Sequence, residues 1–388
     1  YKPGMHHPDP FIEEKPLFTI TAANVEKYAD KLSPGQLAMF RRYPKTWHMI
    51  VYPTHRSAAL PQYVYDGTIA NATMAELSDG GNGVLHARGG IPFLIPKSGL
   101  EAVWNHILRY IGETLSITNG QAAPTPSGEY TFAKYDEGAI FPYYASRPIA
   151  GYSENRLALY LRAFLSPPRL AGDILLIHEP IDQVKETRQA WTYNPGQRRV
   201  RRAPHVAYDN PSPGLDGLRT VDEYGMFGGS PDRYNWTLVG RREMYVPYNS
   251  YKLHRGDLAY NDIIRPGHVN SDLARYELHR VWVVEGKLKQ GARHIYSRRT
   301  FYIDEDSWQI LIADMYDNRG EIWRTAEAHV INYYEVPLLW ITLEAHYDLN
   351  NGRYTVYGLN NQEDVVKFNI KLDPLKFTPD ALRQMGLR

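Results

Sequence analysis

In residues 298–324, RRTFYIDEDSWQILIADMYDNRGEIWR, three short runs of bulky side chains are separated by DED and by DNRG. Bulky residues fall on both parities: Phe301 and Ile303 on one, Tyr302, Trp308, Ile310 and Ile312 on the other. A strand with one wet face needs a single apolar parity, so this sheet has a second face to cover. A period near two recurs from about residue 114 onward. Segments 128–137, 155–165, 173–180, 187–204, 235–247, 274–288, 293–304, 307–317, 320–336, 340–349 and 352–359 all read as strands. NPGQ, KQGA, DED, DNRG and NNG between them carry turn chemistry, and turns this short force antiparallel neighbours.

Upstream the period is helical. Residues 21–32 place Ala22, Val25, Tyr28, Ala29 and Leu32 on one helix face, and Ser33 with Pro34 opens a second helix. The strongest helix spans 98–112. Ser98 and Glu101 predict a capping box, and Leu100, Val103, Trp104, Ile107, Leu108 and Ile111 form one apolar stripe. A long antiparallel sheet tends to curl. The predicted fold is therefore mainly β with α: a single large curved antiparallel sheet, a half-barrel wrapped around the amphipathic helix. Residues 1–97 are expected as an N-terminal extended and helical arm, and 98–388 as the half-barrel domain. The face toward the helix is expected to be apolar and to hold a cavity. On strand 274–288, Tyr276, Leu278, Trp282, Val284 and Leu288 share one face, and Arg275, Glu277, His279, Glu285 and Lys287 the other. The irregular stretch 204–234 is too long for an idle connector and is expected to cover an edge or the mouth of the sheet. TPDALRQMG predicts a short C-terminal helix.

Composition removes several functions. A net charge of +1 gives no basic field for nucleic acid or a membrane surface. Zero Cys excludes a disulfide framework, thiol catalysis and zinc–thiolate sites. No run approaches the roughly 18 apolar residues of a transmembrane helix. Thirty Tyr and 8 Trp favour strands and amphipathic interiors. The sequence opens at Tyr1 and not at Met, as expected where an export signal has been removed or the start was set by design.

Candidate chemistry is sparse. Trp104, Trp191, Tyr193, Trp236, Trp282, Trp308 and Trp323 are candidates to line a cavity for an acyl chain or polycyclic ligand; taken singly, each reads as core filling. In QRRVRRAP, alternation sends Arg199 and Arg201 to one face and Arg198 and Arg202 to the other. One pair is expected against a buried side, paired with a carboxylate, an anionic headgroup or a partner's acidic patch. His6, His7 and Asp9 could ligate a metal, but no second cluster supports one, and His48 and His55 add nothing stronger. No metal and no cofactor is expected. FGGSPDRY lacks the nucleophile-elbow spacing, DGGNG matches no phosphate loop, and DED at 304–306 reads as a hairpin tip.

Longer blocks then carry a resemblance. PDPFIEEKPLFTITAANVEKYADKLSPGQ, GLEAVWNHILRY, RRVRRAPHVAYD, MFGGSPDRYNWTLVGRREMYVPYNSYKL, RYELHRVWVVE and RHIYSRRTFYIDEDSWQILIADMYDNRGEIWR resemble a large uncharacterised family of Gram-negative exported proteins. That family is similar, more distantly, to outer-membrane lipoprotein-sorting proteins of the Lol type, curved half-barrels that carry acyl chains. The resemblance runs from about Tyr1 to Leu359. It implies a periplasmic protein that binds a hydrophobic or lipidic ligand beside an RND-type exporter and an outer-membrane protein, and it supplies no catalytic residues. The rival expectations are an enzyme using His205, Asp209, Asp216, Asp222, Glu223 or Asp232, and a structural adaptor with an exposed apolar patch.

Overall fold

The computed structural model describes residues 4–145, 149, 152, 154–204 and 206–385. In chain order its strands are β1 (Phe18–Ile20), β2 (Met49–Val51), β3 (Glu76–Leu77), β4 (Val84–Leu85), β5 (Thr114–Ala122), β6 (Ala133–Ile140), β7 (Ala158–Ser166), β8 (Ile174–Glu179) and β9 (Gln189–Asn194). There follow β10 (Arg199–Arg202), β11 (Tyr234–Pro247), β12 (Tyr276–Leu288), β13 (Arg298–Asp304), β14 (Ile310–Tyr316), β15 (Ile322–Tyr333), β16 (Leu338–Asp348), β17 (Tyr354–Leu359) and β18 (Lys367–Phe368). All but β3 and β4 join one sixteen-stranded sheet. Its main run is β11-β12-β13-β14-β15-β16-β17-β5-β6-β7-β8-β9-β10, antiparallel throughout. The hairpin of β1 and β2 joins β12 in parallel at Tyr276, which makes the sheet mixed there. The end strands β11 and β10 do not pair with each other, so the sheet stays open.

Three helices matter for the site: α1 (Pro34–Arg42), α2 (Gln62–Met74) and α3 (Gly99–Ile107). Helix α3 is the one the stripe predicts, though it stops at Ile107. Ser98 Oγ caps the Glu101 N–H, while the Glu101 carboxylate accepts from Lys97 N instead of closing a box with Ser98. Its first turn lies on β11, so closely that a Cβ on Gly99 would sit 2.7 Å from the Thr237 backbone. Its other end shares a core with Leu115, Ile117, Ala139, Leu157 and Ala158 on or beside β5, β6 and β7. Nine strand positions separate β11 from β7, about 43 Å across a flat sheet at ~4.8 Å per strand. A nine-residue helix is only about 14 Å long. Strands nine positions apart both reach the helix because the sheet bends around it.

The second face of the bulky strands is also covered. On β13 and β14, Arg299 and Phe301 meet Asp222 and Phe227 on the inner face. Asp314 points the other way and accepts from Gly35 N in α1 at 3.0 Å. A Cβ on Gly35 would lie 2.1 Å from the Asp314 carboxylate, so this contact requires glycine. Burial on both faces explains why neither parity of 298–324 is polar.

Several expectations are corrected. Residues 21–32 form a 3-10 helix over Val25–Lys31, not an α-helix. Helix α2 and strand β5 were not read from the sequence. The charged parity of β12 is dry over its first half, where Arg275, Glu277 and His279 are buried and bonded to one another and to Glu14, and opens to solvent at Lys287. DED is not wholly a tip, because Asp304 ends β13 fully buried, accepting from Tyr248 and Ser307. The short C-terminal helix is present as Pro379–Met385.

Candidate ligand-binding cavity

The described residues of the segment between β10 and β11 lie over the inner face of the sheet and roof a partly open cavity of about 160 Å³. The floor is built by strand alternation. On β7, Ala158, Tyr160 and Arg162 point inward; on β8, Leu175, Ile177 and Glu179; Leu115 and Ala139 complete it from β5 and β6. Ile107, the last residue of α3, contributes together with Arg109 and Ile111 from the chain just after it. The roof is Val206, Ser212, Pro213, Arg219, Val221, Tyr224 and 227–229. A smaller hollow of about 50 Å³ continues beyond Arg109, Ile111 and Tyr224 toward Glu344 and Tyr357. Larger depressions exist, such as one of about 650 Å³ beside Lys371 and Phe377, but Leu161 and Ala163 place that one on the opposite face.

The roof is fixed by buried ion pairs. Asp222 takes both terminal nitrogens of Arg299, at 2.8 and 3.0 Å, and His294 at 2.8 Å. Glu223 accepts from Tyr296 at 3.1 Å and lies 3.4 Å from His346, while Arg219 meets Glu344 at 3.1 Å. Burial alone would push the Asp222 carboxyl up, but Arg299 and His294 outweigh it and hold it well below the usual carboxylate range. Glu223, likewise buried, is held down at about 2 by His346. Arg188 closes the rim, bonded to Glu179 at 2.5 Å, to Val206 O at 2.9 Å and to Gly228 O. Charges removed from water at this depth need such partners.

The seven aromatic candidates are dispersed, and none is among the residues lining this cavity. Trp104 is fully buried on α3 and donates to Gly81 O at 2.9 Å. Trp191 and Tyr193 sit on the opposite face of β9, in a core with Phe377 and Leu382. Trp236 stacks on Phe301 and touches Phe227, which does line the cavity. Trp282 and Trp308 stack on each other, and Trp323 donates to Asp348 at 3.0 Å. Arg199 and Arg201 are exposed on the edge strand β10. Register puts them on the cavity-bearing face, since Arg201 lies opposite Thr192 and Thr192 opposite Leu175. All four arginines of this strand and its turn are exposed, and none forms an ion pair among the described residues; the expected buried pair does not occur because, on the face that the C-terminal helix packs against, Val200 takes the covered position and the arginines reach solvent from the edge.

Other candidates have structural employment. His6 bonds Asn360 O, His7 meets Glu335, His48 meets Asp272 and His55 meets Glu14. Asp209 accepts from Ile295 N, Asp216 pairs with Arg353 and Asp232 accepts from Tyr208; His205 lies outside the described residues. His279, Asp304 and Asp306 bring ligand atoms within 4.8 Å of one another and could hold a cation, although Asp306 is engaged by Arg56. Among the described residues, no helix is long and apolar enough to cross a membrane. The lining residues Arg109, Tyr160, Arg162 and Ile177 were missed. The available signal was the lone charge of Arg162 within the apolar run LALYLRAFL.

Comparison with known proteins agrees with this architecture. The chain is 49% identical over 386 residues, 98% of its length, to the uncharacterized protein PA3922 of Pseudomonas aeruginosa, of which it covers 84%. Among solved structures, it resembles a Vibrio parahaemolyticus domain named for outer-membrane lipoprotein sorting. The TM-score is 0.50 and the identity 14%, covering 74% of this chain and 98% of that one. It also resembles the LolA superfamily protein NE2245 of Nitrosomonas europaea (TM-score 0.44, 11% identity, 74% of this chain and 100% of that one). At these identities the likeness concerns the fold alone. The model of one family, described as a protein of unknown function, DUF1329, matches residues 19–383, and the chain belongs to that family.

Proposed function

We propose that this chain is a periplasmic binding or carrier protein for a hydrophobic or lipidic ligand, accessory to envelope lipid or lipoprotein trafficking or to RND-type export. The observation that carries the reading is the apolar cavity on the inner face of an open half-barrel. Ligand pockets of this kind are lined by apolar groups with a few placed polar ones. The fold likeness to a domain named for lipoprotein sorting supports the same reading. At about 160 Å³, the space resembles a cavity of roughly 150 Å³ that admits benzene. It therefore fits a segment of one acyl chain and not several chains together. Carriage is favoured over catalysis because the acidic groups of the covering segment are committed to structural partners. Exposed on the cavity-bearing side of an edge strand, Arg199 and Arg201 are a cationic contact for an acidic partner or an anionic headgroup.

The test is extraction. Protein gently purified from a Gram-negative envelope is expected to release a stoichiometric lipid or other apolar compound on organic extraction. A pure protein that carries nothing, and takes up no apolar probe when offered one, would end the reading.

A further inference from the structure

We infer that the cavity ligand is an amphiphile with one aliphatic chain and an oxyanion head, and that Arg162 and Arg109 receive the head. This deepens the proposed carrier reading and rests on it. Arg162 stands on β7 within the floor and is 6% exposed. Its guanidinium lies 4.9 Å from the Phe164 ring and 5.7 Å from that of Tyr135, packing that fixes its position without neutralising it. Among the described residues, no carboxylate comes within ion-pair distance of it, and its Nε has no hydrogen-bond partner. Glu137 lies directly across the strand pair and its charge helps hold Arg162 cationic against burial, but its oxygens take their hydrogen bonds from Tyr160, Tyr357 and Asn119 and none from Arg162.

Arg109, two residues past the end of α3, is the second such cation. Nη1 donates to His106 O at 2.8 Å, Nε is buried without a partner, and no carboxylate pairs with it among the described residues. Arg109 lines both the main cavity and the smaller hollow. Burial draws its guanidinium down to about 10, which still leaves it cationic at neutral pH. The other two lining arginines, Arg188 and Arg219, are matched by Glu179 and Glu344. Two buried cations in an otherwise greasy space are thus left without a direct carboxylate contact among the described residues. Buried charge without a partner is costly, and a planar guanidinium suits a carboxylate or phosphate. The apolar walls of Leu115, Ala139, Leu175 and Ile177 would take the chain.

Three probes of equal chain length decide the matter: a fluorescent long-chain fatty acid, its methyl ester and the corresponding alkyl phosphate. The acid or the phosphate is expected to bind at least about tenfold tighter than the ester, because hydrogen bonds to charged groups contribute on that scale. In Arg162→Gln and Arg109→Gln the advantage is expected to shrink toward one while ester affinity holds. Preference for the acid points to a free fatty acid, and preference for the phosphate to a phospholipid-type head. Equal binding of ester and anions by the unmodified protein would overturn the anionic head and leave the carrier reading standing. Failure of all three to bind would remove both. If a variant fails to fold, the anion-to-ester ratio of the unmodified protein decides alone.

Discussion

Asp222 lies in an irregular segment, yet it joins that segment to the sheet through Arg299 and His294 with every oxygen engaged. Asp222→Asn would leave Arg299 buried and unmatched, and is expected to cost about 3–5 kcal/mol in urea unfolding. Removing both charges, as in Asp222→Asn with Arg299→Met, should recover a large part of that loss; a double variant no better than the single would show that the pair is not coupled. Trp104 is expected to behave as core: Trp104→Ala should cost roughly 3–5 kcal/mol by the same measurement. At this scale the sequence was partly legible. Bulky residues could be recognised as interior, but not on which side of the sheet, since Trp191 and Trp236 look alike in the chain and lie on opposite faces. Buried ion pairs were invisible because their members are far apart in sequence, as with Arg219 and Glu344.

Helix α1 is docked through acids that are more comfortable neutral. Burial pushes Asp314 up to about 6, against its bonds from Gly35, Thr325 and Ser33. It pushes Glu327 up to about 7, against those from Tyr276 and Gln36. A carboxyl whose folded value is raised contributes stability that is complete below its unfolded value, near 4, and is lost as pH rises through the folded value. Stability is therefore expected to fall by roughly 4 kcal/mol between pH 5 and pH 8 from these two groups. Glu327→Gln should flatten that slope; an unchanged pH profile in urea unfolding would contradict the assignment. Elements were legible where apolar spacing is regular. Helix α3 and most strands carry it, whereas α2 buries Val64, Thr68 and Asn71, a mostly polar stripe that no hydrophobic period reveals. Strand β5 was obscured by Asn119, Gly120 and Gln121, placed there by a bulged join to β17 and by side-chain bonds to Glu137 and Pro213.

For the whole molecule, the bend of the sheet creates both the core around α3 and the hollow beside it. The curl was legible from strand number and the single strong helix. The seam that joins β17 to β5, and so sets β7 and β8 around the hollow, was not, because strand order is a long-range property. The covering segment is held by ion pairs at 219–223 and by Arg188 at its rim. Entry of a long chain is therefore expected to involve Arg188, and Arg188→Gln should speed probe uptake in stopped-flow experiments without changing the number of sites. The most direct measurement compares the unmodified protein with Ala139→Phe, which places a ring in the floor of the cavity, by titration with a fluorescent apolar probe. The account predicts one saturable site in the unmodified protein and its loss in a variant that melts at a similar temperature. Equal saturation of the two proteins, or no binding by the unmodified one, would contradict it.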